Sequence, residues 1–213
     1  MKMEKDEPAM APVEFWEDRY EAASAETSGR PTTVLEKFVK DRPVGHALEL
    51  GCGKGDDAVW LAKQGWFVTA LDISQAAIDI ARKNAERNNV AEKINFKVCD
   101  LTKDFPEGDY DLVTAQFLES PFEFPRERIL NHAARHVCAA GMLLITTHGS
   151  VPPWSETQWE TDFPTPEEAL VALNLDLTDW TRIFVENFSR IGQKPGSKPG
   201  KLIDTVIALE RNR

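Results

Sequence analysis

The sequence predicts an α/β fold: a seven-stranded, mostly parallel sheet with helices on both faces and an antiparallel last strand. Three observations predict it. From position 46 to 148, short apolar runs alternate strictly with helical stretches, the pattern of crossover units in a parallel sheet. Three of these runs end at a glycine or an aspartate, residues suited to loops at the carboxyl edge of such a sheet. After position 180 two further runs follow each other with only a turn-rich loop between them, which requires antiparallel pairing.

Residues 1–12, charged and carrying Pro8 and Pro12, are expected to form a disordered leader, and 13–213 a single domain. With 213 residues, 42% of them hydrophobic, the chain can bury one sizeable core. Glu14–Ala23 reads as a helix with Phe15, Trp16, Arg19 and Tyr20 on one face, and Thr27–Pro31 breaks it. Thr33–Lys40 is a second helix, ended by Asp41-Arg-Pro43. His46–Leu50 is a buried strand running into glycines. Asp56 and Asp57 then open a helix, acid at its positive end, with Gly65 as its stop. Trp66–Leu71 is the second strand, ending at Asp72, and Ser74 caps a helix to Asn88. Ile94–Val98 is a strand ending at Asp100, and Tyr110–Ala115 is the fourth. Arg126–Ala139 reads as a helix and Met142–Thr147 as the fifth strand. Residues 150–173 form an insert rich in proline and aromatics, with a helical piece at Pro166–Leu173. Thr181–Phe188 and Leu202–Glu210 complete the sheet.

A net charge of −10 argues against holding polyphosphate backbones, so no nucleic acid is expected as a partner. Cys52, Cys99 and Cys138 show no framework spacing and read as reduced thiols. No apolar signal core opens the chain, and no run approaches the ~20 apolar residues that span a bilayer. A cytoplasmic protein without a membrane partner is the expectation. His132 and His136 stand one helical turn apart with no third ligand evident, so no metal is expected.

Gly51-x-Gly53-x-Gly55, between a strand and a helix, lets backbone pass close to a ligand. Alone it is equally a tight turn. Asp72, 21 positions after Gly51, can accept both hydroxyls of a ribose, and Asp100 ends a third strand on the same edge. Each aspartate has a bland reading as a cap or loop residue, but three strand ends agree on one nucleoside pocket. A dinucleotide fingerprint would need glycine at position 56, where Asp56 stands and would repel a pyrophosphate. The pocket therefore suits an adenosine compound without phosphates. S-adenosylmethionine fits, its cationic groups being compatible with Glu49 and the acidic loop.

Glu49-Leu-Gly-Cys-Gly-Lys-Gly55, Leu71-Asp-Ile-Ser74, Val98-Cys-Asp-Leu101 and Tyr110-Asp-Leu-Val-Thr-Ala-Gln116 follow in order. Over about residues 29–148 they resemble the motifs of class I S-adenosylmethionine-dependent methyltransferases, small bacterial ones similar to the tellurite and thiopurine types among them. The resemblance implies a Rossmann-like sheet, S-adenosyl-L-methionine as cofactor, and N-terminal helices at 13–43 closing over it, the leader being Trp16 to Pro31. It places Glu49 and Gly51 beside the methionine moiety, with Cys52, Gly53 and Gly55 in the loop and Cys52 offering mainly backbone. It gives the ribose to Asp72, next to Ile73, and the adenine to Asp100 and Leu101. Gln116 falls near the cofactor's amino end. Arg30 either reaches its carboxylate or is a plain loop cation.

After Thr114 the fourth strand reads Ala-Gln-Phe-Leu-Glu-Ser-Pro, not the Asp/Asn-Pro-Pro-aromatic arrangement of amino-methylating nucleic-acid enzymes. A small-molecule acceptor is expected, near the insert, where Trp154, Trp159 and Phe163 are either a lid or packing anchors. Methyl transfer from a sulfonium is an in-line displacement that needs a base only if the acceptor must lose its proton early. His148 and Glu119 are the candidates, each with an alternative as a loop residue. A sensor that binds the cofactor without transfer and an NAD-dependent oxidoreductase are the competing readings, and the oligomeric state is open.

Overall fold

A computed structural model describes residues 10–155, 163–193 and 196–213. Seven strands form one sheet: β1 (His46–Leu50), β2 (Phe67–Asp72), β3 (Ile94–Val98), β4 (Tyr110–Gln116), β5 (Val137–His148), β6 (Trp180–Gly192) and β7 (Gly200–Arg211). Their order is β3-β2-β1-β4-β5-β7-β6. The first five pair parallel, and β7 lies antiparallel between β5 and β6. The mostly parallel sheet with an antiparallel last strand is thus what the chain forms.

Six helices accompany it among the described residues: α1 (Pro12–Glu21), α2 (Thr33–Val39), α3 (Asp56–Gln64), α4 (Gln75–Arg87), α5 (Arg126–Ala134) and α6 (Pro166–Ala172). Side chains alternate along the central strands and divide the core in two. Ala47, Leu112 and Leu144 pack with Leu35 of α2, Leu61 of α3 and Ile78 of α4. Leu48, Val113 and Leu143 face the other way, against Leu130 of α5 and Leu170 of α6. Ser74 caps α4 as expected, its side chain accepting from the Ala77 N–H.

Several boundaries differ from the sequence reading. The helix expected over Arg126–Ala139 stops at Ala134, and the fifth strand begins at Val137 rather than Met142. Alanine favours helix, but Val137 pairs with Tyr110, and Arg211 donates to the Val137 carbonyl at 2.8 Å. Ala140, at φ 62°, lies where the ladder shifts before Leu112 meets Met142. The second strand starts at Phe67, because the Trp66 N–H turns back to the Leu61 carbonyl and closes the end of α3 around Gly65. β6 and β7 run past their apolar stretches, since hairpin pairing continues to Gly192 and Gly200.

Residues 1–9 of the expected leader and Trp159 of the insert lie outside the described residues, and Pro12 already belongs to α1. Trp154 and Pro153 lie against Gly192 and Gly200 at the end of the β6–β7 hairpin. No helix among the described residues is long and apolar enough to cross a membrane. β1 lies between β2 and β4, where the strand order reverses, and the crevice for a ligand opens at the carboxyl ends of these strands.

Candidate functional site

The glycine loop leaves β1 at that switch point. Gly51 and Gly53 have φ of 72° and 51°, a region side chains seldom enter. A Cβ on Gly51 would come 2.8 Å from Leu118 Cδ1, and one on Gly53 2.9 Å from the Tyr20 hydroxyl. The loop is therefore pressed from above by α1 and from the side by the segment after β4. A Cβ on Gly55 would strike the Ala81 Cβ at 2.8 Å, so this glycine lets α3 pack on α4.

Two cavities open on the loop, one of about 720 Å³ and one of about 630 Å³. Asp72, Ile73, Asp100 and Leu101 line the larger, with Glu119 in its far wall. Arg30, Glu49, Cys52 and Gln116 line the smaller, with Asp56 and Asp57. Gly51 and Tyr20 alone border both among the described residues. Gly53 and Gly55 border neither and shape the loop from beneath.

The smaller cavity is acidic. Glu49 is buried, and its Oε2 has no hydrogen-bond partner among the described residues. Burial pushes its carboxyl well above the usual range, and Asp57, Asp72 and Asp56 add to the rise. Burial also raises Asp57 to about 6, against the stabilising bonds from Thr32. Asp72 is raised by burial too, while N–H groups of Ser74, Gly53 and Ile73 hold its ionised form. Gln116 is fixed between neighbours: its amide nitrogen donates to Thr114 Oγ1 at 2.8 Å, and its Oε1 accepts from Thr32 Oγ1 at 3.2 Å. The Arg30 guanidinium is exposed and makes no hydrogen bond or ion pair among the described residues.

The polar residues around the glycines grip the leader. Asp56 accepts from Ser28 N and Oγ at 3.0 and 2.8 Å and from Gly29 N at 3.0 Å. Asp57 accepts from Thr32 N at 2.6 Å, and Lys54 donates to the Ser24 carbonyl at 2.5 Å. The acid expected at the positive end of α3 thus also fastens the 24–32 segment.

α1 crosses the larger cavity and is docked by Glu17. Its carboxylate accepts from Ser74 Oγ at 2.7 Å and from the Ala76 N–H at 3.0 Å, satisfying the N-terminus of α4. Across the cavity, Asp100 accepts from Thr102 and pairs with Lys103 at 2.7 Å. Burial would raise its carboxyl, but Lys103 and Thr102 hold it below the usual range.

Glu119 and His148 are brought together. Glu119 Oε1 accepts from His148 N at 3.0 Å, and Oε2 lies 2.6 Å from His148 Nδ1. This bond raises the imidazole pKa, while the carboxyl, despite partial burial, is lowered by the same contact. Phe117 packs on the ring at 4.6 Å between centroids, with an unusual φ of 57°. Arg190 covers Phe117 and binds buried Asp204 at 2.5 Å. His148 lines neither cavity and reaches the larger one only through Glu119. His132 and His136 pack around Phe105 instead, far in role from this site.

Sequence reasoning missed Tyr20, Glu17, Asp57 and Thr32 as site residues. Tyr20 had a signal, since it shares the aromatic face of the first helix. Glu17 had none, because its partner Ser74 lies 57 residues away.

The model of the methyltransferase-domain family matches residues 47–141. The chain is 37% identical over 98 residues to a ribosomal protein L11 methyltransferase of Exiguobacterium, covering 43% of this chain and 30% of that protein. It is 37% identical over 92 residues to a ubiquinone biosynthesis O-methyltransferase of Coxiella burnetii, covering 42% and 38%. The chain thus spans about a third of the length of these curated relatives. Its fold is similar to that of the N-methyltransferase NodS from Bradyrhizobium japonicum in complex with S-adenosyl-L-homocysteine, with a TM-score of 0.67 at 16% identity over 95% of this chain and 100% of that one.

Proposed function

We propose that the chain, whose residues 47–141 match the methyltransferase-domain family model, is a class I S-adenosylmethionine-dependent methyltransferase that transfers a methyl group from S-adenosyl-L-methionine to a small-molecule acceptor. The observation that carries the proposal is the buried, unpartnered Oε2 of Glu49 in the wall of a cavity that begins at the glycine loop. An orphaned carboxylate oxygen fits a cationic group, and a loop with no side chains at Gly51 and Gly53 fits close approach by the rest of the ligand. A pyrophosphate would meet Glu49, Asp56 and Asp57 instead of free N–H groups.

In this reading Asp72, beside Ile73, accepts the ribose hydroxyls, and Asp100 and Leu101 flank the adenine. Glu49 and Gln116 receive the ammonium, the exposed Arg30 guanidinium receives the carboxylate, and Cys52 lends its backbone. α1 and α2 close the site, and the 150–173 insert lies near the acceptor. The cofactor supplies a methyl group already activated on sulfur, so the chain's contribution is chiefly to hold and align.

The acceptor enters through the rest of the larger cavity, where Trp16, Phe117, Leu118 and Phe124 offer an apolar, aromatic wall. Glu119 orients the His148 ring through Nδ1 and leaves Nε2 to take a proton from an acceptor that must lose one. The likeness to an O-methyltransferase supports a hydroxyl acceptor. A labelled-methyl transfer screen against a metabolite library tests the proposal. Transfer to at least one small molecule is expected. Tight cofactor binding without any methylated product would mark a sensor instead.

A further inference from the structure

We propose that the ring of Tyr20 distinguishes the charged cofactor from its neutral product, by facing the sulfonium where the two cavities meet. The inference rests on the methyltransferase reading above. In that reading the adenosine half belongs to the cavity of Asp72, Asp100 and Leu101, and the amino-acid half to the cavity of Glu49, Arg30 and Gln116. The sulfur joins the two halves, so it belongs at the junction. Among the described residues only Gly51 and Tyr20 border both cavities. Gly51 has no side chain, which leaves Tyr20 as the one side chain at that point among the described residues.

Several contacts hold the ring there. Its hydroxyl reaches within 2.9 Å of where a Cβ on Gly53 would stand, so the side chain lies along the loop. Trp16, one helical turn earlier, tilts 31° to it at 6.3 Å. Glu17 fastens the same helix to Ser74 and Ala76. The hydroxyl makes no hydrogen bond among the described residues, and burial, with Asp72 nearby, raises its pKa and keeps it protonated. Tyr20 therefore presents a neutral π-face and no phenolate.

An aromatic face attracts a cation such as an ammonium or sulfonium, more strongly where water is excluded. Methyl transfer turns the sulfonium into a neutral thioether. The ammonium and carboxylate persist, so Glu49, Gln116 and Arg30 hold cofactor and product alike. The Tyr20 ring holds only the cofactor well, which favours exchange of spent product for fresh cofactor.

Calorimetric titration of S-adenosylmethionine and S-adenosylhomocysteine into the wild type, Tyr20→Phe, Tyr20→Trp and Tyr20→Leu tests this without turnover. Tyr20→Leu is expected to weaken S-adenosylmethionine on the order of 3- to 30-fold while changing S-adenosylhomocysteine by no more than roughly twofold. Phe keeps the wild-type ratio, and Trp keeps or raises it. α1 has no fully buried residue, so these substitutions leave the core intact. Equal losses for both ligands in Tyr20→Leu, or no loss for either, overturn the proposal. So does loss of the preference in Tyr20→Phe, which would assign it to the hydroxyl. A wild type that binds neither ligand overturns the methyltransferase reading itself, a separable outcome.

Discussion

Glu49 lies on β1 with 3% of its surface exposed, and its Oε2 has no partner among the described residues. Burying a carboxylate with one bare oxygen costs stability beyond what the Ala58 N–H returns to its ionised form, and the cost depends on pH because the folded protein raises this carboxyl far above its ordinary 4.5. Below that value both folded and unfolded states are protonated there, and nothing is lost. As pH rises, the unfolded chain ionises first, so the folded state weakens until the folded pKa is passed. Glu49→Gln does not titrate. The variant is expected to match the wild type near the acid end and to gain about 1–3 kcal/mol over it at neutral pH. Urea unfolding across that range measures the difference. The same change should weaken S-adenosylmethionine by roughly 1.5–3 kcal/mol, the worth of hydrogen bonding to a charged group. A variant less stable than the wild type at every pH would mean that the Ala58 N–H bond outweighs the cost of the bare oxygen. At this scale the sequence was informative where chemistry is local: Glu49, Asp72 and Asp100 stand at strand ends, where position follows from pattern. It was silent on the bare Oε2 of Glu49, which depends on what α2 and α3 place over it.

α1 is unusual among the helices in having no fully buried residue. Its attachment to the domain combines Glu17 on the N-terminus of α4 with an edge contact between Phe15 and Phe122. An element held this way can detach without unfolding the sheet. Glu17→Ala removes charge-assisted bonds to Ser74 and Ala76. We expect faster hydrogen exchange in 12–21, weaker cofactor binding, and global stability lowered by no more than about 1 kcal/mol. Exchange measured by mass spectrometry checks it. Protection of 12–21 equal to that of wild type would show that packing of Phe15 and Trp16, not Glu17, holds the helix. The alternation of elements was legible because each strand is an apolar run bounded by glycine, aspartate or a cap. The α5–β5 boundary was not, since an alanine-rich stretch at 133–140 leaves the choice to pairing with Tyr110 and the Arg211 bond. Nor was the docking of Glu17 on α4, a contact between segments that share no local pattern.

The whole molecule brings residues from six segments to one edge of the sheet, because strand order reverses beside β1 and all the parallel strands point their carboxyl ends the same way. Spacing brought Gly51, Asp72 and Asp100 to this edge, while the roles expected of Glu49, Leu101 and Gln116 came from the family resemblance. The proposed acceptor side is lined by α1 and the segment after β4, whose mutual positions come from tertiary contacts such as Phe15 with Phe122. Ligand binding at such a junction joins both sides, and its free energy adds to folding of the whole domain. A ligand at 100 times its Kd stabilises by about 2.7 kcal/mol when it binds only the folded state. For a domain of this size, each kcal/mol shifts the melting temperature by roughly 2–4 °C. Saturating S-adenosylmethionine should therefore raise Tm by roughly 5–11 °C. NAD at the same concentration should leave it unchanged, since Asp56 and Asp57 stand at the start of α3, where a pyrophosphate would need free N–H groups, and are bonded to 28–32. A shift with NAD and none with S-adenosylmethionine would restore the oxidoreductase reading, because the glycine loop would then be accepting a phosphate despite its acids.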